Sequence, residues 1–319
     1  MIPALMICFA TDIMCWPGKD RKHDCFNQAA VILDRAELII SSLNGGMGNQ
    51  MFQYAAGRCL AYRTNQQLKL DLRPLLRYGS RDYALGHFCI ADDSVATRLE
   101  LSGFAIRAKL RKWLGTAPIM IKESGFGFDP ELLRCRGNVR IEGYWQSPRY
   151  FNEIEAIIRR EFGFRDSPAG SNVELASRIS AHNSISVHLR CGDYINDPKT
   201  CAHHGNCSMD YYTTAMGLMN KQIPDAHFYI FSDEPDWARV HLSPDHPHTY
   251  ISHNGLDHAH EDMRLMSLCR HHIIANSSFS WWAAWLNSHP ERQVIAPKQW
   301  FNSPDRDTSD LIPADWTRL

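Results

Sequence analysis

Glu37-Leu38-Ile39-Ile40-Ser41-Ser42-Leu43-Asn44-Gly45-Gly46-Met47-Gly48-Asn49-Gln50-Met51-Phe52 passes from an apolar, β-branched run through a glycine turn into a helical pattern. The run Glu37–Ser42 reads as a strand. From Asn49 to about Arg63 the residues Phe52, Ala55, Ala56, Cys59, Leu60 and Tyr62 line one broad apolar face of a helix. Gln67-Leu68-Lys69-Leu70-Asp71 is the next strand. Strand, glycine turn, helix and strand make a βαβ unit, so a parallel sheet starts here and the fold class is α/β.

Working outward, the pattern predicts a helix over 95–114, a Gly-rich stretch at 125–130, a strand from Val139 to Trp145 ending at a cleft, and a helix over 153–162. Asp166-Ser167-Pro168-Ala169-Gly170-Ser171 reads as a linker. Beyond it the alternation returns. Strands are predicted at 184–189, 227–233, 249–252, 272–276 and 294–297, with helices at 209–221 and 261–270 and another carrying Trp281, Trp282 and Trp285. The chain therefore divides into an extension, 1–36, and two Rossmann-type α/β domains, 37–165 and 166–319, facing a cleft. The tryptophans, at helical spacing, read as core rather than as a sugar platform.

Bulk properties narrow the function. Of 319 residues, 44% are hydrophobic and 22% charged, enough for a sizeable core. Lys+Arg is 34 against 35 for Asp+Glu, which leaves no general basic face for nucleic acid. The 10 cysteines are scattered without a C-x-x-C pair, several inside apolar patterns, which suits reduced thiols and a cytoplasmic compartment. Met1–Ile13 is apolar but interrupted by Asp12 and shorter than the roughly 20 residues of a spanning helix. It lacks a basic start and a small-residue cleavage site. Residues 1–36 are expected to pack poorly.

Chemistry should sit where parallel strands end. The strand Ser184-Ile185-Ser186-Val187 runs into His188-Leu189-Arg190-Cys191-Gly192-Asp193-Tyr194, placing an imidazole, a guanidinium and a carboxylate at one strand end. A guanidinium there suits a phosphate; a surface Arg–Asp pair closing the strand is the plain alternative. The turn Gly45–Gly48 offers N–H groups at a helix start, where anions bind. Asp71 falls near the place where a dinucleotide fold keeps its ribose-binding acid, but the third glycine of that fingerprint is replaced by Met51. An NAD-dependent oxidoreductase is thus one alternative. A metal-binding module built on the loop 201–207 is another, although its C-x₅-C spacing fits zinc poorly.

Taken together, Gly45–Ala55, His188–Tyr194, Phe231-Ser232-Asp233 and Asn276–Leu286 resemble, in order, four sequence blocks of glycosyltransferase family 11, the bacterial α-1,2-fucosyltransferases. The resemblance spans about residues 37–300. It implies a GT-B-like fold, a GDP-β-L-fucose donor, inversion at the anomeric carbon, and neither metal nor other cofactor. The expected product is Fuc-α-1,2-Gal on a galactose-terminated oligosaccharide or lipid-linked glycan; a related GDP-deoxyhexose is the same-class alternative. A lipid-linked acceptor would hold the chain as a peripheral protein at the cytoplasmic face of the inner membrane.

The resemblance also assigns roles. Arg190 carries the β-phosphate charge, helped by Gly46, Gly48, Ser232, Asn276, and the hydroxyls and amides of Ser277, Ser278 and Phe279. His188 meets the donor or holds Arg190. Asp233 meets guanine or ribose, with a helix N-cap as the competing role. Asn49 is placed like the asparagine that related protein O-fucosyltransferases keep beside the acceptor hydroxyl. Asp193 is the carboxylate nearest the phosphate, although pairing with Arg190 would lower its basicity. The family commonly has a second arginine where this chain has Cys191. Metal-dependent transferases use a D-x-D pair, and Asp305-Arg306-Asp307 reads instead as solvated surface.

Overall fold

The computed structural model describes residues 37–78, 81–113, 119–190, 207–302 and 307–319. Residues 1–36, the segment 191–206 with Cys191, Asp193 and most of the Cys/His loop, and Asp305 lie outside them. In chain order the elements are β1 (Leu38–Ser42), α1 (Met47–Thr64), β2 (Gln67–Asp71), α2 (Arg73–Tyr78), α3 (Arg98–Trp113), β3 (Ile119–Lys122), β4 (Val139–Glu142), α4 (Glu155–Glu161) and α5 (Ser171–Ala181). They continue with β5 (Asn183–Leu189), α6 (Met209–Gln222), β6 (Ala226–Ser232), α7 (Pro235–His241), β7 (His248–Ile251), α8 (Ala259–Leu268), β8 (His271–Ile273), α9 (Ser278–Leu286), β9 (Val294–Ala296) and β10 (Thr317–Arg318).

The strands form two sheets, ordered β2-β1-β4-β3 and β10-β9-β8-β5-β6-β7. All pairings are parallel. This is the α/β, GT-B-like class that the sequence implies. In each sheet the strand order reverses once, between β1 and β4 and between β5 and β8. Ligands bind outside the carboxyl ends of strands at such switch points.

The two faces of the first sheet differ. Ile39, Leu70, Val139 and Ile141 are fully buried in one core cluster with Met51, Phe52, Ala55 and Ala56 of α1. On the other face Ile40 meets Leu101 and Phe104 of α3, and Lys69 Nζ lies 3.1 Å from Glu100 Oε1. The strand predicted to run to Trp145 stops at Glu142. The Glu123 carboxylate, at the end of β3, accepts the N–H groups of Tyr144 (2.6 Å) and Trp145 (2.8 Å) and so ends the ladder. Short elements such as β3, α2, α7 and β10 carry too few residues for a legible period.

The first core does not stop at the first sheet. Trp281 and Trp282, both 0% exposed, join Phe52, Phe151 and Phe162 in the same cluster. Phe52 lies 4.6 Å from Trp281 and 4.9 Å from Trp282, and Phe151 stacks on Trp282 at 5.2 Å. The tryptophans are core, as their spacing predicts, and they weld the two α/β halves together. Among the described residues Cys59 and Cys269 are buried free thiols, while Cys89 is exposed.

The second sheet buries neutral histidines. His272, on β8, holds Ser186 Oγ at 2.8 Å and Asn287 Nδ2 at 2.7 Å. Burial lowers its pKa to about 3 and, with help from His289 and Arg270, that of His271 to about 4. The unfolded chain titrates these rings near the ordinary value of about 6.5, so between there and about 4 it binds protons that the folded chain refuses. Stability should therefore fall as pH drops from about 7 to about 5, before most carboxylates protonate. Urea midpoints at the two pH values test this. A constant midpoint, or an unchanged slope in His272→Gln, would contradict it.

Candidate functional site

The carboxyl ends of the two sheets meet at the starts of α1 and α9. Gly46 is the N-cap of α1, and a Cβ added there would meet nothing within 4 Å. Gly48 is different: a Cβ would lie 2.4 Å from the Ser278 carbonyl carbon and 2.6 Å from Phe279 N. Only a glycine lets the two helix starts touch. Trp282 Nε1 donates to Gly48 O at 3.0 Å, locking the approach.

The glutamines of the α1 motif are scaffold. Gln50 donates to Gly45 O and Asp82 O and accepts the Ala84 N–H. Gln53 accepts the Asn44 N–H and donates to Gly143 O, each at 2.9 Å, tying the β1 and β4 ends together across the switch point. Asn49 stands between them. Its Oδ1 accepts two hydrogen bonds of 2.8 Å, from Gln146 Nε2 and from Ser278 Oγ. Its amide nitrogen lies over Gly45, whose φ of +77° and whose missing Cβ, 2.6 Å from that nitrogen, both require glycine.

On the second sheet, β5 and β6 end side by side, with Leu189 paired to Ser232. Arg190 Nε lies 3.4 Å from Asp233 Oδ2, both side chains partly exposed. The N-cap of α7 is Glu234, and the Asp233 carboxylate before it faces Arg190. The Ser232 hydroxyl accepts the Glu234 N–H. His188 is 5% exposed, its Nδ1 has no hydrogen-bond partner among the described residues, and its ring lies 5.6 Å from that of Phe279. Burial, opposed by Asp233 and assisted by Arg190, lowers its pKa to about 4. It is a neutral imidazole near pH 7.

At the start of α9, Ser277 Oγ accepts the Phe279 N–H at 3.3 Å as N-cap, while the Ser278 hydroxyl turns to Asn49. Asn276 is drawn aside: its amide donates to Trp300 O, and its Oδ1 accepts from Cys207 Sγ. The structure thus brings His188, Arg190 and Asp233 together at one strand end. It joins Gly48, Asn49, Ser278 and Phe279 at the contact between the sheets, with the His188–Phe279 ring contact linking the two groups. Asn276 and Ser232 hold backbone around them. Asp193 lies outside the described residues. Gln146 and Glu123 carry no sequence motif, and Gln146 meets an asparagine 97 positions away.

One alternative, the dinucleotide site, loses its support. Asp71 is 0% exposed and accepts a bidentate pair from Arg73 and a 2.6 Å bond from Arg140. Burial alone would raise its carboxyl, but the two guanidinium groups hold it below the ordinary value. An acid so engaged cannot reach a ribose. Asp307 is exposed and accepts the Ser309 N–H. Among the described residues no group of three His, Cys, Asp or Glu is placed to hold a metal ion.

The family model described as glycosyl transferase family 11 matches residues 26–319, a span that begins ahead of Glu37. An α-1,2-colitosyltransferase of Escherichia coli is 32% identical over 88% of this chain and 99% of its own. The O-antigen biosynthesis glycosyltransferase WbnK of Escherichia coli is 30% identical, with coverage of 88% and 99%. A galactoside 2-α-L-fucosyltransferase of Caenorhabditis elegans is 26% identical over 50% of this chain and 46% of its own. Arabidopsis thaliana FUT1, solved with GDP, superposes with a TM-score of 0.49 and 13% identity, covering 90% of this chain and 77% of that one.

Proposed function

The chain belongs to glycosyltransferase family 11, and from that premise we propose that it transfers L-fucose from GDP-β-L-fucose to the 2-hydroxyl of a galactoside, with inversion. The observation that carries this reading is Arg190 at the end of β5, the strand at the switch point, where His188 of the same strand end lies against Phe279 at the start of α9. As the bond between C1 and the β-phosphate oxygen breaks, its electron pair leaves with GDP. The growing charge meets the guanidinium and the helix dipole.

The acceptor oxygen forms the new bond to C1 from the opposite face. Its proton passes to a carboxylate or to the departing diphosphate. His188, with its lowered pKa, is a poor base and serves better as a neutral hydrogen-bonding group toward the donor. Asn49, whose oxygen is fully used, presents its amide nitrogen as a donor on the acceptor side. A lipid-linked acceptor would bring the reaction to a membrane surface; no helix among the described residues is long and apolar enough to cross one.

A second donor deserves a place in the test, because a relative is named for colitose. GDP should raise the melting temperature where NAD and zinc do not, and saturation at about 100 Kd adds roughly 2.7 kcal/mol. Turnover of GDP-fucose and GDP-colitose with galactosides, and the product linkage by NMR, then decide the sugar. Protection by NAD alone would overturn the reading.

A further inference from the structure

Asn49 is held by a side chain that no motif predicts. Gln146 is 7% exposed and follows Trp145, a bulky residue at φ +56° and 1% exposed. Such a backbone costs on the order of 1–3 kcal/mol and persists only where its surroundings impose it. Here the Glu123 carboxylate takes the N–H groups of Tyr144 and Trp145, and Ser147 N–H bonds to Trp145 O at 2.8 Å. The turn points Gln146 at the seam between the sheets, where its amide nitrogen donates to Asn49 Oδ1. Its own Oε1 is left buried and without a hydrogen-bond partner among the described residues. A glutamine serving only as packing would satisfy both ends of its amide. This one leaves its carbonyl unmet in order to donate to Asn49.

The second donor to Asn49 comes from the other sheet, through Ser278 Oγ. With both lone-pair directions of Oδ1 taken, the Asn49 amide has one orientation, nitrogen toward Gly45 at the turn between β1 and α1. We propose that Gln146 is a positioning residue for glycosyl transfer: it fixes Asn49 as a hydrogen-bond donor to the acceptor sugar. This rests on the role given to Asn49 above. Gln146 acts through Asn49, and Glu123 and Trp145 hold Gln146 in place.

Gln146→Ala frees the Asn49 amide to rotate. The expected result is a fall of about 10- to 100-fold in kcat for transfer to the glycan, with KM for the GDP-sugar and hydrolysis of the donor by water unchanged. Gln146→Glu is sharper. An ionised carboxylate repels Asn49 Oδ1 and flips the amide, whereas a protonated one donates to it as the glutamine does. The activity of that variant relative to wild type should therefore rise as pH falls. A purely packing role would give no such rescue.

A readout independent of the donor is the pair of Asn49 side-chain amide signals in a ¹H–¹⁵N spectrum, assigned by their loss in Asn49→Asp. They should follow one titration in Gln146→Glu and stay fixed in wild type. An active wild type with full activity in Gln146→Ala, or amide signals that ignore the introduced carboxyl, would overturn the inference. Failure of wild type to use any GDP-sugar would count against the proposed function alone, because the spectrum still decides the role of Gln146.

Discussion

Replacing Arg190 by lysine should lower kcat with the GDP-sugar by about two orders of magnitude, the scale of one lost transition-state donor. The argument is geometric. Arg190 Nε lies 3.4 Å from Asp233, so the carboxylate already engages one edge of the guanidinium. A departing diphosphate would meet the planar fork of the guanidinium beside that contact. A lysine ammonium is a point charge on a flexible stem and cannot hold both in a fixed plane. The effect should fall on kcat more than on GDP affinity, because the charge is largest as GDP leaves. Stability should hardly change, since 27% of the side chain is exposed and the paired carboxylate is also partly in solvent. Turnover near wild type, with either GDP-fucose or GDP-colitose, would remove Arg190 from the mechanism.

Trp282→Ala should cost about 3–5 kcal/mol of folding stability, the range for deleting a large aromatic from a packed core. The indole is 0% exposed and lies within about 5 Å of five other rings, those of Phe52, Phe151, Phe162, Trp281 and Trp285. Its N–H also satisfies Gly48 O, which would be left without that donor. The loss reaches function because Gly48 and Ser278 touch only while the two helix starts stay pressed together. Urea unfolding and GDP affinity, measured on the same sample, should fall together. A loss below 1 kcal/mol, or intact GDP affinity in a strongly destabilised variant, would separate the aromatic seam from the site.

Much of this architecture was legible in the residues. Long apolar runs bounded by glycine or polar turns marked β1, β2, β5 and β6, and the 3.6-residue period marked α1. Parallel order followed from the alternation of strands and helices. The strand-end arginine was legible because guanidinium chemistry and strand position point the same way. The contact between Asn49, Gln146 and Ser278 was not, since hydrogen bonds across 97 and 229 positions leave no local period. The short edge strand β3, with Ile119 and Met120 exposed, lacks the apolar alternation that reveals a buried strand. Asp233 illustrates a third limit. From sequence it could cap a helix or face a ligand, and only the Arg190 contact separates the two.

The aromatic seam also bears on how such an enzyme can diversify. Two α/β halves joined by a polar hinge could be exchanged between relatives, one half bringing a new acceptor and the other a new donor. Here Phe52, Phe151 and Phe162 from one half interlock with Trp281, Trp282 and Trp285 from the other. A transplanted half brings a foreign set of ring shapes into that joint, and close-packed interiors tolerate such mismatch poorly. Loops rimming the cleft are therefore an easier place to change specificity than the joint, because they leave the ring packing untouched.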